Sequence, residues 1–322
     1  MLETIDVVKK FNSEETVEVA KKIKAKGKLL LTGEGSSRIF PAKNAIRKVH
    51  SWGVDLNVIT ESSHQAADYD ISNFAVFCSS NSGKTKEVIS LAKKVNKIDN
   101  ENCFALTAHT NTLLEKYCKE TFVLKCGGEN AVAATKSVVE QALFYESIIW
   151  NILNSKNRFI EQGLENKLQH VLTMPIDENI IHAAAQASII YFAGYNDGVA
   201  EELTLKTNEI TRKKSDYLEG TYAVHGIEEV LEKEDIVFII DPIDEEIDKF
   251  QKVLVDGVGL KVLAISTKPT PFQTIIIPDA GEFNPYLFLC TGWNLLVEIG
   301  LSLGIHLDKP KRARKVGNEF QQ

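Results

Sequence analysis

The strongest constraint on the fold is a pattern of short apolar runs that occurs twice along the chain. The six runs are KLLLTGEGSS (28–37), FAVFCSSNSG (74–83), NCFALTAHT (102–110), SIIYFAGYND (188–197), DIVFIIDPID (235–244) and LKVLAISTK (260–268). Their length and their content of β-branched and aromatic residues predict buried strands. The amphipathic stretches between them, such as 85–97 and 246–258, predict helices.

Strands that alternate with helices form parallel sheets whose two faces are both covered by helices. Because the pattern occurs in each half with similar spacing, we expect an α/β protein with two tandem, doubly wound, flavodoxin-like lobes. The expected segments are an N-terminal helical segment (1–27), a first lobe (28–155), a linking helix (156–182), a second lobe (183–306) and a C-terminal tail (307–322).

Length and composition agree with this organisation and exclude several classes of protein. The chain has 322 residues, of which 44% are hydrophobic and 25% charged, as expected for about two globular domains. No apolar run is long enough to span a bilayer, and the N-terminus has no apolar signal core. A net charge of −7 gives no sign of nucleic-acid binding. We therefore expect a cytoplasmic protein.

The five cysteines are scattered and form no C-x-x-C pair. This spacing suggests neither a zinc ribbon nor a disulfide framework, so we expect reduced thiols. We also expect no cluster of side chains that would hold a metal ion, and no organic cofactor.

The segment CSSNSGKTKEV (78–88) is the best candidate for a ligand site. It follows a predicted strand and begins a predicted helix, and ligands of open α/β sheets bind beyond the carboxyl ends of the strands. Four hydroxyl side chains, a glycine and the free N–H groups of a helix N-terminus suit a phosphate monoester. A Walker sequence is absent, so the segment does not predict a nucleotide site.

Two other strand ends bear on this assignment. In GEGSSR (33–38), Arg38 stands where a dinucleotide fingerprint needs glycine, which argues against NAD. Ser36 and Ser37 could instead face the same crevice as the 80–85 loop. The equivalent loop of the second half, DPIDEE (241–246), is acidic and would repel a phosphate. We therefore expect one phosphate site rather than two.

The segment 200–229 contains the clearest candidates for proton transfer. Lys206 and Glu209 are three positions apart and share one face of a predicted helix, although a surface ion pair would have the same spacing. His225 stands in a Gly-flanked loop, where a histidine is more often structural or solvated than catalytic. The basic tail 309–315 would by itself be read as a solvated end.

Six short motifs, taken together and in this order, resemble one known family. They are G-S-S (35–37), S-N-S-G-K-T (80–85), E-N-A-V-A-A-T-K (129–136), Lys206 with Glu209, His225-Gly226, and D-K-P-K-R-A-R-K (308–315). The chain is similar over most of its length to proteins with two sugar isomerase (SIS) domains, such as the isomerase half of glucosamine-6-phosphate synthase.

The resemblance implies a role for each motif. The phosphate would be held by Ser80, Asn81, Ser82 and Thr85 with Ser36 and Ser37, and the sugar would contact Val132 and Ala134. Glu209 would move a proton between C1 and C2, and Lys206 would stabilise the developing oxygen charge or set the pKa of its neighbours. His225 would open the sugar ring, and Lys315 would attack a ketose carbonyl as a Schiff-base amine.

We therefore predict a phosphosugar isomerase or deaminase that acts at C1 and C2 of a hexose or hexosamine 6-phosphate. The resemblance also implies a homodimer in which His225 serves the partner's site. Departures from the family leave the sugar and the nitrogen chemistry open. Ala134 stands where the family usually has a serine, Asn81 where it has glutamine and Lys84 where it has glutamate. We also expect no amidotransferase domain.

Two other functions fit the same motifs. One is a deglycase that releases an amino acid from a fructosamine 6-phosphate, which would use the same proton transfer. The other is a non-catalytic phosphosugar-binding regulator. A regulator needs the phosphate loop but not Glu209, His225 and Lys315 together, so their joint presence favours an enzyme.

Overall fold

The chain folds into two compact units, each built around one parallel sheet. The computed structural model describes residues 1–153, 159–160, 162–314 and 317–321. The unit called here the first lobe contains Glu3–Gln162 and the C-terminal segment Lys311–Gln322. The second lobe contains Met1–Leu2 and Gly163–Pro310.

The sheet of the first lobe has five parallel strands in the order β2-β1-β3-β4-β5. Its strands are β1 (Lys28–Gly33), β2 (Asn57–Ser62), β3 (Ala75–Ser79), β4 (Cys103–Thr107) and β5 (Glu120–Val123). Its helices are α1 (Thr4–Lys10), α2 (Val17–Lys26), α3 (Ile39–Ser51), α4 (Ser63–Ala66), α5 (Lys86–Asp99) and α6 (Lys136–Ile152).

The sheet of the second lobe has the order β7-β6-β8-β9-β10 and is also parallel. Its strands are β6 (Ile189–Gly194), β7 (Lys214–Glu219), β8 (Ile236–Ile240), β9 (Lys261–Ser266) and β10 (Gln273–Ile276). Its helices are α7 (Leu164–Thr173), α8 (Glu178–Gln186), α9 (Val199–Lys206), α10 (Ile247–Phe250) and α11 (Asn284–Ser302).

Counted within each lobe, both sheets have the strand order 2-1-3-4-5, which is that of flavodoxin-like proteins. The prediction of two tandem doubly wound lobes is therefore confirmed. None of the described helices combines the length and the apolar character needed to cross a lipid bilayer.

The core of the first lobe shows why these residues form a three-layer structure. Odd and even positions of a strand face opposite sides of the sheet. Phe77 and Phe104 therefore pack together on one face, where α6 covers them with Phe144, whereas Val76 and Cys78 face α5 on the other side. A strand buried on both sides needs apolar residues on both faces, and the first four residues of β3, AVFC, are apolar.

The structure corrects the predicted linking helix, 156–182. The described part of this segment contains α7 and the beginning of α8, with residues 174–177 between them. Met174 is extended and precedes Pro175, and a residue before proline is disfavoured in the helical region. The sequence interpretation of residues 200–229, a helix followed by a loop, was also incomplete, because strand β7 lies between the helix and the loop.

The structure also brings together three thiols that the sequence analysis treated as scattered. The sulfur atoms of Cys78, Cys103 and Cys118 lie within 4.8 Å of one another, although all five cysteines are free thiols. Hydrogen bonds with the Cys118 and Cys78 thiols lower the pKa of Cys103 to about 5, against the opposing effect of burial. Hydrogen bonds with Cys103 and Cys118, together with burial, raise the pKa of Cys78.

Candidate functional site

The first lobe has its crevice where the strand order reverses, between β1 and β3, as in other sheets of this order. The two strands end close together: a Cβ atom added to Gly33 would lie 2.9 Å from the carbonyl oxygen of Ser79. The loops that follow, 34–38 and 80–85, therefore begin side by side. These are the two loops whose serines the sequence assigns to a phosphate.

Three hydroxyl groups meet in the loop between β3 and α5. The Ser80 Oγ lies 2.8 Å from the Thr85 Oγ1 and 3.5 Å from the Ser82 Oγ. Thr85 precedes the first residue of α5, and its side chain makes no capping hydrogen bond to the helix. Hydroxyls that now pair with each other, at the positive end of a helix dipole, could turn to donate to a phosphate oxygen.

Gly83 is the residue that allows this loop to close. Its φ angle is +63°, in the left-handed region that residues with a Cβ rarely occupy. A Cβ atom at this position would lie 2.4 Å from the Thr112 Cβ, which is closer than any real contact. The loop therefore needs glycine for its backbone conformation and also for space.

The C-terminal tail runs beside this loop. The Lys86 N–H donates to the Asn318 carbonyl (3.0 Å), and the Phe320 N–H donates to the Lys84 carbonyl (2.9 Å). The Phe320 ring lies 3.9 Å from the Lys93 Nζ, as in a cation–π contact. The tail is thus attached next to the hydroxyl-rich loop. The predicted reactive lysine, Lys315, lies outside the described residues.

The segment 129–137 reaches the same loop through one side chain. Glu129 accepts hydrogen bonds from the Thr135 N–H (2.8 Å) and the Lys136 N–H (3.0 Å), so its carboxylate caps the N-terminus of α6. Ser137 donates to the same carboxylate, and the Asn81 Nδ2 donates to the Ser137 Oγ (3.3 Å). The predicted sugar contacts Val132 and Ala134 lie half-buried within the irregular part of this segment.

The loop after β1 contains both predicted serines and one carboxylate that the sequence reasoning missed. Ser36 and Ser37 are half-buried, and the Ser37 carbonyl accepts a hydrogen bond from the Gln141 amide. Burial raises the pKa of the Glu34 carboxyl, and the Glu87 carboxylate adds to the increase, while the Ser63 N–H opposes it. An acid directly after a predicted strand was the signal that could have identified Glu34.

Lys206 and Glu209 form an ion pair in the second lobe, so the predicted shared face exists. The Lys206 Nζ lies 2.7 Å from the Glu209 Oε2 and 3.2 Å from the Glu202 Oε1. Lys206 and Glu202 are completely buried, whereas the Glu209 side chain keeps 22% of its surface exposed. Glu209 is therefore the carboxylate of this group that a ligand can reach.

The backbone around Glu209 departs from a regular helix. α9 ends at Lys206, and Thr207–Thr211 form a π-helical turn, a conformation that is frequent at functional sites. Burial by itself lowers the pKa of Lys206, but the carboxylates of Glu202 and Glu209 outweigh it, and the net effect is a raised pKa. Lys206 thus stays charged between two carboxylates.

His225 lies in the loop after β7, between two short 3₁₀ turns, and its side chain is exposed. The Lys249 Nζ lies 3.4 Å from its Nε2. The following Gly226 has a φ angle of +107°, which turns the chain back.

The corresponding crevice of the second lobe lies between β6 and β8. The loop after β8 contains Asp241 and the short turn Asp244–Glu246, and the Asp244 carboxylate pairs with Lys268. This loop supplies negative charge where the first lobe supplies hydroxyls. The described residues thus carry the predicted hydroxyl pattern at one of the two crevices.

Comparisons with known proteins find likeness in structure rather than in sequence. No family model matches the chain, and no curated protein matches it in sequence. Solved structures do match over nearly the whole chain.

One match is a Clostridium difficile 630 protein provisionally assigned as a phosphosugar isomerase, with a TM-score of 0.77, 19% identity, and coverage of 99% of this chain and 97% of that one. The C-terminal domain of glucosamine-fructose-6-phosphate aminotransferase from Francisella tularensis has a TM-score of 0.75 and 17% identity, over 96% of this chain and 97% of that one. Glucosamine-6-phosphate deaminase from Thermotoga maritima has a TM-score of 0.68 and 19% identity, over 94% and 98%. The chain therefore shares its fold, with two tandem flavodoxin-like lobes, with these proteins.

Proposed function

We propose that the protein is a phosphosugar isomerase or deaminase that acts at C1 and C2 of a hexose or hexosamine 6-phosphate. The observation that carries the proposal is the hydroxyl-lined turn Ser80–Thr85, at the strand-order reversal of the first lobe and at the N-terminus of α5. Structural neighbours described as a phosphosugar isomerase and a glucosamine-6-phosphate deaminase support the same class of substrate.

The phosphate, bound at residues 80–85, provides binding energy at a distance from the reacting carbons and orients them. Asn81 extends the site towards segment 129–137 through Ser137, so that Val132 and Ala134 are the nearest candidates for contact with the sugar. Ser36 and Ser37 of the neighbouring loop complete the proposed cradle.

Glu209 is the proposed proton carrier between C1 and C2. Its carboxylate is partly exposed and pairs with the buried Lys206 ammonium, which positions it as a general base. Lys206 would also stabilise the negative oxygen that forms in an enediol intermediate. An ordinary surface ion pair would have an exposed lysine, whereas Lys206 is fully buried.

His225 is the proposed residue for ring opening, since a histidine ring can accept a proton. We propose that the protein is a homodimer in which His225 acts in the partner's site, which fits its exposed position on a Gly-flanked loop. Lys315 remains the proposed Schiff-base amine, and the attachment of the tail beside the phosphate loop supports this role. Five free thiols favour a cytoplasmic location.

The test is a thermal-shift screen followed by an exchange assay. Fructose 6-phosphate, glucosamine 6-phosphate and a fructosamine 6-phosphate are added to the protein, with the unphosphorylated sugars as controls. A phosphosugar at 100 times its Kd should stabilise the fold by about 2.7 kcal/mol, and the sugars alone should not. Stabilisation by none of the phosphosugars would contradict the proposal.

The same samples, incubated in deuterated water, distinguish the remaining functions. Deuterium at C1 or C2 indicates an isomerase or deaminase, and release of ammonia separates the two. Release of an amino acid from the fructosamine indicates a deglycase. Binding without exchange or release indicates a regulator, in which Lys206 and Glu209 would be structural.

A further inference from the structure

Three cysteines that are far apart in the sequence lie together inside the first lobe. Cys78 is on β3, Cys103 begins β4, and Cys118 lies two residues before β5. Their three sulfur atoms all lie within 4.8 Å of one another, and the Cys103 and Cys118 sulfurs are 3.6 Å apart. None of the proposed steps on the sugar phosphate uses these thiols.

The topology of the sheet brings the thiols together. Cys78 lies opposite Ala105 and Cys103 lies opposite Val76, so both side chains lie on the sheet face that α5 covers. The Lys119 N–H donates to the Cys103 carbonyl (2.8 Å), which fixes the neighbouring Cys118 beside Cys103. Each thiol is therefore positioned by regular backbone contacts.

The spacing of the sulfur atoms fits a shared metal ion. With metal–sulfur bonds of about 2.3 Å, two thiolates on one ion stand about 3.8–4.0 Å apart. A disulfide would need two sulfurs to approach to about 2.05 Å and would leave the third thiol unused. Thiolates select soft cations, and among the described residues the group supplies sulfur ligands alone.

Access to the thiols is possible from one side. Cys78 and Cys103 are buried, whereas Cys118 is partly exposed. An ion could therefore enter past Cys118 while the apolar residues of α5 and β4 exclude bulk water from the other two sulfurs. Such an arrangement resembles the dry shell that supports metal sites in proteins.

We propose that Cys78, Cys103 and Cys118 form a binding site for a soft, thiophilic metal cation such as Zn²⁺, which is bound by three thiolates. Binding of a divalent ion to three thiols releases their protons and forms three metal–sulfur bonds, without any change of oxidation state. The ion would join the strand that enters the phosphate loop, β3, to the segment that enters β5.

The test uses the full-length protein, reduced with a phosphine and titrated separately with cadmium chloride and zinc chloride. Cadmium should produce an ultraviolet sulfur-to-metal charge-transfer band that saturates at one ion per chain. Loss of an outer partner of a metal ligand costs about 10–100-fold in affinity, so loss of a ligand itself should cost more than about 100-fold. We expect this loss in Cys103→Ser and Cys118→Ser.

Cys126→Ser is the matched control, because this half-buried cysteine of the same lobe lies outside the group. It should bind cadmium and zinc like the unaltered protein. Circular dichroism checks the fold of each variant, and if Cys103→Ser does not fold, the partly exposed Cys118→Ser decides alone.

Three results would overturn the proposal. One is the absence of a charge-transfer band in a protein whose thiols are all titratable. Another is a band that persists in the folded variants with unchanged affinity. The third is a Cys103–Cys118 disulfide in the protein as purified, before any reductant is added, detected as a mass deficit of two hydrogens and a linked peptide.

Discussion

The two lobes have the same strand order and differ in what stands where that order reverses. In the first lobe the loop after β3 contains three clustered hydroxyls and leads into α5. In the second lobe the equivalent loop after β8 contains Asp241 and the acidic turn Asp244–Glu246. One architecture thus creates two crevices that differ in charge, one lined by hydroxyls and the other by carboxylates.

The difference teaches that the fold fixes the place of a crevice, whereas the side chains decide its ligand. The second lobe has its candidate chemical groups elsewhere. Glu209 lies in a π-helical turn after α9, and His225 follows β7. We interpret the first lobe as the one that binds the phosphate and the second as the one that supplies proton transfer.

The sharpest test of this division of labour is Glu209→Gln, which keeps the shape of the side chain but removes the base. Exchange of the C1 or C2 hydrogen with deuterated water should fall by about 10²–10⁴-fold, because that is the usual contribution of a positioned acid–base group. The thermal stabilisation by a sugar phosphate should persist, since the phosphate loop belongs to the first lobe.

Glu178→Gln, at an exposed position of the second lobe, is the control and should exchange at the original rate. If Glu209→Gln exchanges as fast as the unaltered protein, the ion pair with Lys206 is structural, and the second lobe loses its proposed role.

Mixed dimers test whether the second lobe of one subunit acts in the site of the other. Glu209→Gln and His225→Asn chains, each inactive alone, are co-expressed with different affinity tags. If His225 acts in the partner's site, one site of each mixed dimer contains both altered residues and the other site contains neither. Random pairing makes half the dimers mixed, so about a quarter of the original activity should return. Mixtures without activity would show that His225 serves its own chain.

Gly83→Ala should disturb the phosphate loop of the first lobe through two separable effects. A left-handed φ angle costs a residue with a Cβ about 1–2 kcal/mol, and the contact with Thr112 at 2.4 Å adds to this cost. Gly27→Ala is the matched control, because Gly27 has a φ angle of +71° and no atom within 4 Å of the added Cβ. Chemical denaturation should show a larger loss for Gly83→Ala than for the control. Equal losses of unfolding free energy would mean that the Thr112 side chain moves away from the added Cβ at no measurable cost.

The sequence identified the central strands of both sheets and missed the edge strands, for a physical reason. Strands such as β3 and β8 are buried on both faces and are therefore apolar at almost every position. The four missed strands, β2, β5, β7 and β10, stand at the edges of the sheets and are partly exposed. Their mixed sequences, such as KSDYLE, lack a continuous apolar signal.

The candidate site was predictable where its residues are close in sequence. The Ser80–Thr85 turn and the Lys206–Glu209 pair depend on local spacing and formed as expected. The link from Asn81 through Ser137 to Glu129 and the group of three thiols depend on which strands and helices become neighbours. Spacing along one chain does not contain that information.

Ser82→Ala and Thr85→Val each remove one proposed donor to the phosphate. A hydrogen bond to a charged group is worth about 1.5–3 kcal/mol, so the affinity for a sugar phosphate should fall about tenfold or more in each variant. Isothermal titration calorimetry measures the loss, and thermal unfolding without ligand checks the fold. Ser72→Ala, in the exposed loop before β3, is the control. Unchanged affinity in both variants would remove the phosphate from this loop.

The smallest effect is expected at the acidic crevice of the second lobe, in the double variant Asp244→Asn with Glu245→Gln. Both side chains are exposed, and exposed charges contribute little, so the affinity for the sugar phosphate should change by less than about twofold. Titration calorimetry should still give one phosphosugar per chain. Two ligands per chain would mean that negative charge alone had kept a phosphate out of this crevice. The two lobes would then differ in charge but not in their capacity to bind phosphate, because the backbone of the second crevice would already be able to hold one.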